Sequence, residues 1–306
     1  MKIAILFTTL CLTLGFMWFV VKIGVMEAPP LAFAGSRLVC AGLLLLAFVK
    51  ASDHRIRIAQ EDYAKVTIVS VLFVTLFSGF IYWGVQYVSA SLTTIIVQGV
   101  IPIALPMFSM IYRQEELSYG NVLSMFVGLS GLFIIFWPNV TTNESLMELI
   151  GLVAIITGTI SYCWGSVLSK GLMSKYSVIT LSGFHSLIGG IILLLVASFF
   201  EKSAFINTQQ YLTPTVLYSW ISLVFIGILG ITIYMYLLKT WGAAKLSLYA
   251  FITPIVAIFL DFILLDDVLL LTEAIGTALI FVAVWISLRP PFQLAKKIPL
   301  LKTPEG

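Results

Sequence analysis

The first candidates for chemistry are Arg37, His185 and Asp261, whose side chains can carry a charge inside long apolar runs of this sequence. A charge at the centre of a membrane-spanning helix costs at least ~2.5–3.5 kcal/mol on insertion scales, so each of these side chains needs water, a partner or a protein interior. A guanidinium forks two hydrogen bonds to a carboxylate or a phosphate. Arg37 therefore predicts either an anion site or an architectural contact with free carbonyl groups at helix ends.

His185 and Asp261 are side chains that can change protonation state. A free imidazole titrates near neutrality, so His185 predicts a substrate contact or a proton relay. The alternative is a neutral ring that is hydrogen-bonded between two helices. Asp261 predicts proton coupling, or else a carboxylate that extends to the nearby membrane surface.

Aromatic side chains away from the ends of the apolar runs can line a pocket for an organic solute. The better candidates of this kind are Trp18, Tyr82, Trp164 and Tyr234. We expect these rings to face a binding site, whereas aromatic residues at the ends of the runs belong to the membrane interface.

Pro102 and Pro106 lie within one apolar run and Pro254 within another, with Gln98 and Thr253 close to Pro102 and Pro254. Proline removes a backbone donor and kinks a helix. Prolines at matching places in two helices predict a shared hinge, and they add Gln98 and Thr253 to the candidate binding residues.

Acidic pairs close the two runs that contain these prolines, namely Glu115-Glu116 and Asp266-Asp267. Carboxylates are favoured at the start of a helix, where backbone N–H groups are free. Each pair therefore predicts a structural cap on the tight turn into the following helix.

The amino-acid composition indicates which class of protein contains these residues. The chain has 306 residues, of which 60% are hydrophobic and 10% charged, and its mean hydropathy is +1.08. Soluble domains have about 25% charged residues, and disordered chains are polar, so both classes are excluded. A net charge of +3 argues against a nucleic-acid binder, and the cysteines lie in apolar runs, which argues against a disulfide framework.

A membrane-spanning helix needs about 20 mostly apolar residues, and ten segments meet that need. The first of them, which follows Met1-Lys2, is expected to be a retained helix, because no Ala-x-Ala cleavage site follows it. The sequence thus predicts an all-α integral membrane protein whose ten helices span approximately 3–25, 30–49, 66–87, 90–112, 119–138, 149–169, 177–199, 214–238, 244–265 and 270–288.

The positions of Lys and Arg predict the orientation, because cytoplasmic loops are rich in both. With the N-terminus inside, 14 of the 17 basic residues fall on the inner side, while Lys22 and Lys202 fall on the outer side and Arg37 within a span. We therefore expect both termini in the cytoplasm. The inner residues are Lys2, Lys50, Arg55, Arg57, Lys65, Arg113, Lys170, Lys175, Lys239, Lys245, Arg289, Lys296, Lys297 and Lys302.

The two halves of the sequence match each other. A shift of 148 residues aligns Arg37 with His185, and a shift of 152 aligns Pro102 with Pro254. The same shifts also align Gly35 with Gly183, Gly42 with Gly190, Tyr82 with Tyr234 and Glu115 with Asp267. The pattern predicts five-helix repeats over 1–140 and 147–290 and a cytoplasmic tail over 291–306.

Because five is odd, the second repeat enters the membrane from the opposite side. Inverted repeats of this kind are typical of secondary transporters, whose site lies at the midplane between the repeats. We therefore expect Arg37 and His185 to face one central cavity from opposite halves.

Several short motifs resemble the EamA-type family of the drug/metabolite transporter superfamily. They are Trp18-x3-Lys22, Pro30 with Arg37, Ser89-Ala90-Ser91-Leu92 through Pro102 to Glu115, and Gly242-Ala243-Ala244-Lys245 through Thr253-Pro254 to Asp267. The resemblance implies ten helices around a central cavity that is lined by helices such as the third, fourth, eighth and ninth. Asp267 and Asp261 depart from the family, which usually has Glu and an apolar residue there.

The resemblance implies a secondary transporter in the cell (plasma or inner) membrane, monomeric or weakly dimeric. It favours export of a small organic solute such as an amino acid or related metabolite, with import or drug efflux as the alternative. An enzyme is among the least favoured functions, since the sequence contains no His-Glu-x-x-His, Gly-x-Ser-x-Gly or Walker A motif. A channel is equally disfavoured, because the inverted repeat and the paired prolines are typical of carriers. We accordingly expect no metal and no cofactor.

Overall fold

The structure is a computed structural model that describes residues 2–52, 57–88, 90–137, 145–202, 205, 213–264 and 271–288. Within these residues, every regular element is a helix. The first half contains α1 (Lys2–Glu27), α2 (Pro30–Ala51), a 3-10 turn (Gln60–Asp62), α3 (Tyr63–Ser70), a π-helical segment (Val71–Leu76), α4 (Phe77–Gly84), α5 (Ala90–Ile111) and α6 (Tyr119–Phe136). The second half contains α7 (Leu146–Leu172), α8 (Val178–Phe200), α9 (Pro214–Trp241), α10 (Ala243–Leu246), α11 (Tyr249–Leu264) and α12 (Leu271–Leu288).

Six helices among the described residues are long and apolar enough to cross a membrane. They are Pro30–Ala51, Gln60–Gly84, Leu92–Ile111, Leu146–Leu172, Val178–Phe200 and Pro214–Trp241. Four further apolar helices are shorter: Lys2–Met17, Tyr119–Ile135, Ala243–Val256 and Ala274–Leu288. The helical class predicted from the sequence is confirmed, while ten membrane spans and the cytoplasmic position of both termini stay predictions.

Hydroxyl caps determine where several of these helices begin. Ser118, Ser145, Ser177 and Thr213 each accept a hydrogen bond from the backbone N–H three residues later, at the first turns of α6, α7, α8 and α9. Such a cap satisfies one of the four free N–H groups at a helix start. Each cap thus fixes the residue at which its helix begins.

Helices α2 and α8 pack together along their length. Gly35 and Gly42 on α2, and Gly183 and Gly190 on α8, allow the contact. A β-carbon on Gly190 would lie 2.7 Å from the Val39 nitrogen, and one on Gly42 would lie 2.5 Å from the Leu187 nitrogen. Small residues let the backbones of membrane helices approach closely, so these glycines fix the crossing that positions Arg37.

The π-helical segment Val71–Leu76 interrupts the third apolar run at the centre of the bundle. Single π-turns inside α-helices are rare and occur frequently at functional sites. Here the segment packs against glycines on two other helices, because β-carbons on Gly165 and Gly189 would lie 2.6 Å from the Phe73 nitrogen and 2.7 Å from the Val74 β-carbon. The wide turn thereby places Phe73 and Val74 in the interior.

We predict that Gly42→Ala lowers the apparent melting temperature of the detergent-purified protein. The new methyl group would meet the α8 backbone, and overpacking costs about 1–3 kcal/mol. Gly171→Ala is the matched control, because a β-carbon there meets nothing within 4 Å. Equal melting temperatures for the two variants would show that the α2–α8 contact is not as tight as described.

Candidate functional site

A cavity of about 130 Å³ lies at the centre of the bundle. Residues of α1, α2, the π-helical segment, α4, α5, α7, α8, α9 and α11 line it. Most of the lining is apolar, and the polar members are Arg37, Ser78, Gln98, Tyr162, Ser186, Tyr234 and Tyr249. An apolar cavity with a few convergent polar groups is the usual form of a small-molecule site.

Arg37 is the cation of this lining. Its side chain is only 6% exposed, and Nη2 donates a hydrogen bond of 2.8 Å to the Tyr82 hydroxyl. The guanidinium carbon also lies 5.6 Å from the centre of the Tyr82 ring. Nε has no hydrogen-bond partner. The side chain thus retains donor capacity toward a further acceptor.

The lining contains no carboxylate in the part of the chain that the structure describes. Among the described residues, the phenol and the π face of Tyr82 meet the positive charge of Arg37, and no ion pair does. A buried cation without a counter-ion attracts anions strongly, because the surroundings have a low dielectric constant. The arrangement is suited to an anionic group.

Gln98 and Thr253 join α5 to α11. The amide Nε2 of Gln98 donates to Thr253 Oγ1 at 2.9 Å, and both side chains are buried. The amide oxygen Oε1 has no hydrogen-bond partner. Both residues are predicted binding residues; Gln98 lines the cavity, whereas Thr253 lies behind it and contacts the Gln98 amide.

Pro102 and Pro254 lie inside α5 and α11, close to this Gln98–Thr253 bond. Both prolines are buried. The two proline-bearing helices therefore meet through a polar bond next to the cavity. A hinge at these positions stays a prediction.

A cluster of rings forms one wall of the cavity. Phe73 stacks on Tyr162 with ring centres 5.1 Å apart, and Tyr234 meets the edge of Tyr249 at 5.8 Å. The hydroxyl groups of Tyr162 and Tyr249 lie 3.2 Å apart, while the Tyr234 hydroxyl donates to Ser166 Oγ at 3.0 Å. The predicted pocket residue Tyr234 is thus part of a wall in which every tyrosine hydroxyl has a partner.

His185 does not line the cavity, although Arg37, its match in the first half, does. The ring is completely buried, with Ser70 Oγ 2.9 Å from Nδ1 and Ser169 Oγ 3.1 Å from Nε2. Ser70 donates its own proton to the Val66 carbonyl, so it accepts from Nδ1–H, and Nε2 then accepts from Ser169. This is a satisfied neutral imidazole, and the expected shared cavity for Arg37 and His185 is not what the structure shows.

Trp164 lies elsewhere than predicted. It is 39% exposed, its Nε1 donates to the Tyr112 hydroxyl at 2.8 Å, and its ring stacks on Phe108. It is absent from the cavity lining because it occupies the outward face of α7. The side chains of Trp18 and Asp261 lie outside the described residues.

Tyr162 is a cavity residue that the sequence interpretation missed, although a signal for it exists. Glycines at positions 151, 158 and 165 recur every seven residues and mark the buried face of α7. Tyr162 lies between the last two of them, on the same face. Trp164 is two residues further along and points away, since each residue of a helix turns it by about 100°.

Glu115 caps a different helix from the one predicted. Its carboxylate accepts from the backbone N–H groups of Ala243 at 2.6 Å and Ala244 at 3.1 Å, and from Lys170 Nζ at 2.6 Å. It therefore joins the end of α5 to the α9–α10 corner rather than to α6. Gly242, with φ of +91°, allows this approach, since a β-carbon there would lie 2.7 Å from the carboxylate. Asp266 and Asp267 lie outside the described residues.

A second polar contact joins the halves at the same end of the bundle. The buried carboxylate of Asp62 accepts from the Tyr176 hydroxyl at 2.7 Å and from Lys175 Nζ at 3.0 Å. The hydrogen bond to Asp62 raises the pKa of the Lys175 ammonium group above its ordinary value. Among the residues the structure describes, no group of three or more His, Cys, Asp or Glu side chains could hold a metal ion.

A sequence model described as the EamA-like transporter family matches the chain twice, over residues 1–137 and 149–289. The uncharacterized transporters YoaV and YvbV of Bacillus subtilis are 24% identical over 277 residues and 26% identical over 284 residues. These alignments cover 89% and 92% of this chain, and 92% and 90% of the relatives. The uncharacterized inner membrane transporter YedA of Escherichia coli is 25% identical over 249 residues, which cover 80% of this chain and 77% of YedA.

The crystal structure of another protein superposes on this chain with a TM-score of 0.77 and 17% sequence identity. The superposition covers 94% of this chain and 96% of the other. This likeness shows the fold.

We predict that Tyr82→Phe lowers the free energy of unfolding by about 1.5–3 kcal/mol, the usual contribution of a hydrogen bond to a charged group. The variant removes the hydroxyl that accepts from Arg37 but keeps the ring beneath the guanidinium. Tyr63→Phe, at an exposed position, is the control for thermal melting in detergent. If both variants melt like the unmodified protein, Tyr82 does not stabilise the buried cation.

Proposed function

The chain belongs to the EamA-like transporter family and is a membrane transporter, and we propose that it is a secondary carrier that moves a small organic anion or zwitterion by alternating access. The observation that carries this proposal is the state of Arg37. A permanently charged side chain, 6% exposed, lines the central cavity with its Nε unpartnered and no carboxylate in the described lining. We infer that the anionic group of the solute binds there.

The helix contacts support a two-fold relation between the halves. Helix α1 packs on α9 as α7 packs on α4, and α1 packs on α11 as α7 packs on α5. Two further close pairs, α2 with α8 and α6 with α12, join matched helices. Exchange of the halves would leave this set of contacts unchanged. We therefore propose that residues 1–140 and 147–290 are inverted repeats.

The cavity lining supports the same relation. The shift of 148 that aligns Arg37 with His185 also aligns the lining residues Leu14 with Tyr162 and Leu38 with Ser186. The shift of 152 aligns the lining residues Ser78 with Gly230 and Val97 with Tyr249. A site built from equivalent positions lies on the axis between the halves, where a rocking carrier keeps its substrate.

Alternating access requires that the contacts at each end break in turn. With both termini in the cytoplasm, as the basic residues favour, the Glu115 and Asp62 contacts belong to the inner end. We infer that these contacts and the tyrosine cluster close the inner end, and that they separate when the carrier opens inward. Kinks at Pro102 and Pro254 give α5 and α11 the freedom to move.

The membrane and the direction of transport are also part of the proposal. YedA, a relative of similar length, is described as an inner membrane transporter, and we place this chain in the corresponding cell membrane. The resemblance to EamA-type transporters favours export of amino acids or related metabolites. The satisfied hydrogen bonds of His185 favour a structural role over proton coupling.

We predict that Arg37 variants lose transport in a fixed order. Arg37→Lys keeps the charge but not the forked geometry, and it should reduce uptake about tenfold. Arg37→Gln loses both and should fall to the level of protein-free liposomes. Proteoliposome uptake of a panel of labelled carboxylates measures this effect, with exposed Arg57→Gln as the matched control.

Normal uptake by Arg37→Gln would refute the anion site. Aggregation of that variant, with Arg37→Lys folded and fully active, would instead assign Arg37 an architectural role. The remaining site candidates would then be Tyr82, Gln98 and Tyr234.

A further inference from the structure

The face that α9 turns toward the cavity lacks side chains at two places. Gly227, Gly230, Ile231 and Tyr234 line the cavity, and their spacing of three and four residues puts them on one face of the helix. Gly230 is buried and Gly227 is half-buried. Both lie in the interior of Pro214–Trp241, where a glycine costs about 1 kcal/mol relative to alanine. Some other property of these positions must offset that cost.

Helix packing does not provide the offset. A β-carbon on Gly227 would lie 3.5 Å from Arg37 Nη1, and one on Gly230 would lie 3.4 Å from Leu14 Cδ2. Both distances are ordinary van der Waals contacts, whereas a β-carbon on Gly42 would lie 2.5 Å from a backbone nitrogen. Neither Gly227 nor Gly230 has a positive φ. Alanine would therefore fit at either position without a shift of the backbone.

The matched positions of the first half carry side chains. The shift of 152 aligns Gly227 with Thr75 and Gly230 with Ser78. Ser78 lines the same cavity, so a β-carbon is tolerated at that place in the proposed repeat. The two glycines are thus a feature of the α9 side of the cavity and not of the repeat.

The space beside Gly227 is also next to the guanidinium of Arg37. Nη2 of that group donates to the Tyr82 hydroxyl, while Nη1 donates no hydrogen bond within the described residues. Nη1 is the atom that would lie 3.5 Å from a β-carbon on Gly227. A solute whose anionic group meets Nη1 would therefore place its remaining atoms along the glycines of α9.

We propose that Gly227 and Gly230 set the upper size limit of the solute, because their missing β-carbons leave room for its largest group. The inference rests on the proposed function, since it needs this cavity to be the transport site. The cavity volume of about 130 Å³ is close to that of a cavity of roughly 150 Å³ that holds benzene. The limit is thus about one benzene ring beside the anionic group.

Two matched pairs of probes differ in bulk: the carboxylates acetate and benzoate, and the free amino acids glycine and phenylglycine. Their binding to the purified full-length protein is measured by thermal stabilisation over a concentration series. For each pair that binds, Gly227→Ala and Gly230→Ala should weaken the larger member about tenfold, which corresponds to 1.4 kcal/mol, and leave the smaller member unchanged. Gly79→Ala is the matched control, because a β-carbon there would also lie 3.4 Å from a side chain but outside the described lining.

The melting temperatures without solute test whether packing needs these glycines. Both alanine variants should melt at or above the temperature of the unmodified protein, because alanine favours a helix and its methyl group fits. A decrease like that expected for Gly42→Ala would show that the two glycines serve helix packing, and it would overturn the inference.

The binding outcomes separate the size limit from the function on which it rests. Equal weakening of both members of a pair would assign the glycines to helix flexibility, and unchanged binding of the larger member would assign them no role in size, so either result would overturn the inference. Binding of only the smaller members to the unmodified protein would also overturn it. In these cases loss of binding in Arg37→Gln would leave the proposed function intact. Binding that Arg37→Gln does not change, or no binding of any probe, would overturn the proposed function itself.

Discussion

A permanently charged guanidinium in the middle of an apolar helix bundle is the constraint on which the rest of the structure depends. Placing Arg37 there costs at least ~2.5–3.5 kcal/mol. The hydroxyl group and the ring face of Tyr82 offset this cost. The described lining residues include no carboxylate. Glycine contacts between α2 and α8 hold the helix that carries Arg37, and Gly227 leaves space beside its Nη1. The packing thus keeps a cation both buried and open to the cavity.

The proposed duplication extends to the helix framework of the molecule but not to its chemistry. Matched helices make matched contacts, and several cavity residues occupy equivalent positions in the two halves. The polar groups break this symmetry, since Arg37 corresponds to His185, and Gln98 corresponds to Ala250. A carrier needs a near-symmetric framework in order to alternate between two faces, and an asymmetric site in order to hold one orientation of its solute.

The sequence predicted the helical membrane class and several cavity residues from properties that need no neighbours. Hydropathy is a sum over a segment, and a lone charge in such a segment must face the interior, so the sequence alone predicts an interior position for Arg37. The sequence does not distinguish the surroundings of Arg37 from those of His185, because both residues lie at similar depths in their apolar runs. Only the packing shows that Ser70 and Ser169 enclose the imidazole. Residue type alone makes Trp164 a candidate pocket residue, whereas the glycine spacing of α7 marks the buried face on which Tyr162 lies. Glu115 caps a helix 128 residues away, and a local pattern contains no information about such a contact.

Counterflow in proteoliposomes tests most directly the claim that this cavity belongs to a carrier. Vesicles containing the protein are loaded with an unlabelled solute that stabilises it, and uptake of the same labelled solute is followed with time. The account predicts a transient accumulation above the equilibrium level, a rate that saturates with concentration, and the loss of both in Arg37→Gln. Flux that rises linearly with concentration and shows no transient excess, or counterflow that is unchanged in Arg37→Gln, would contradict it.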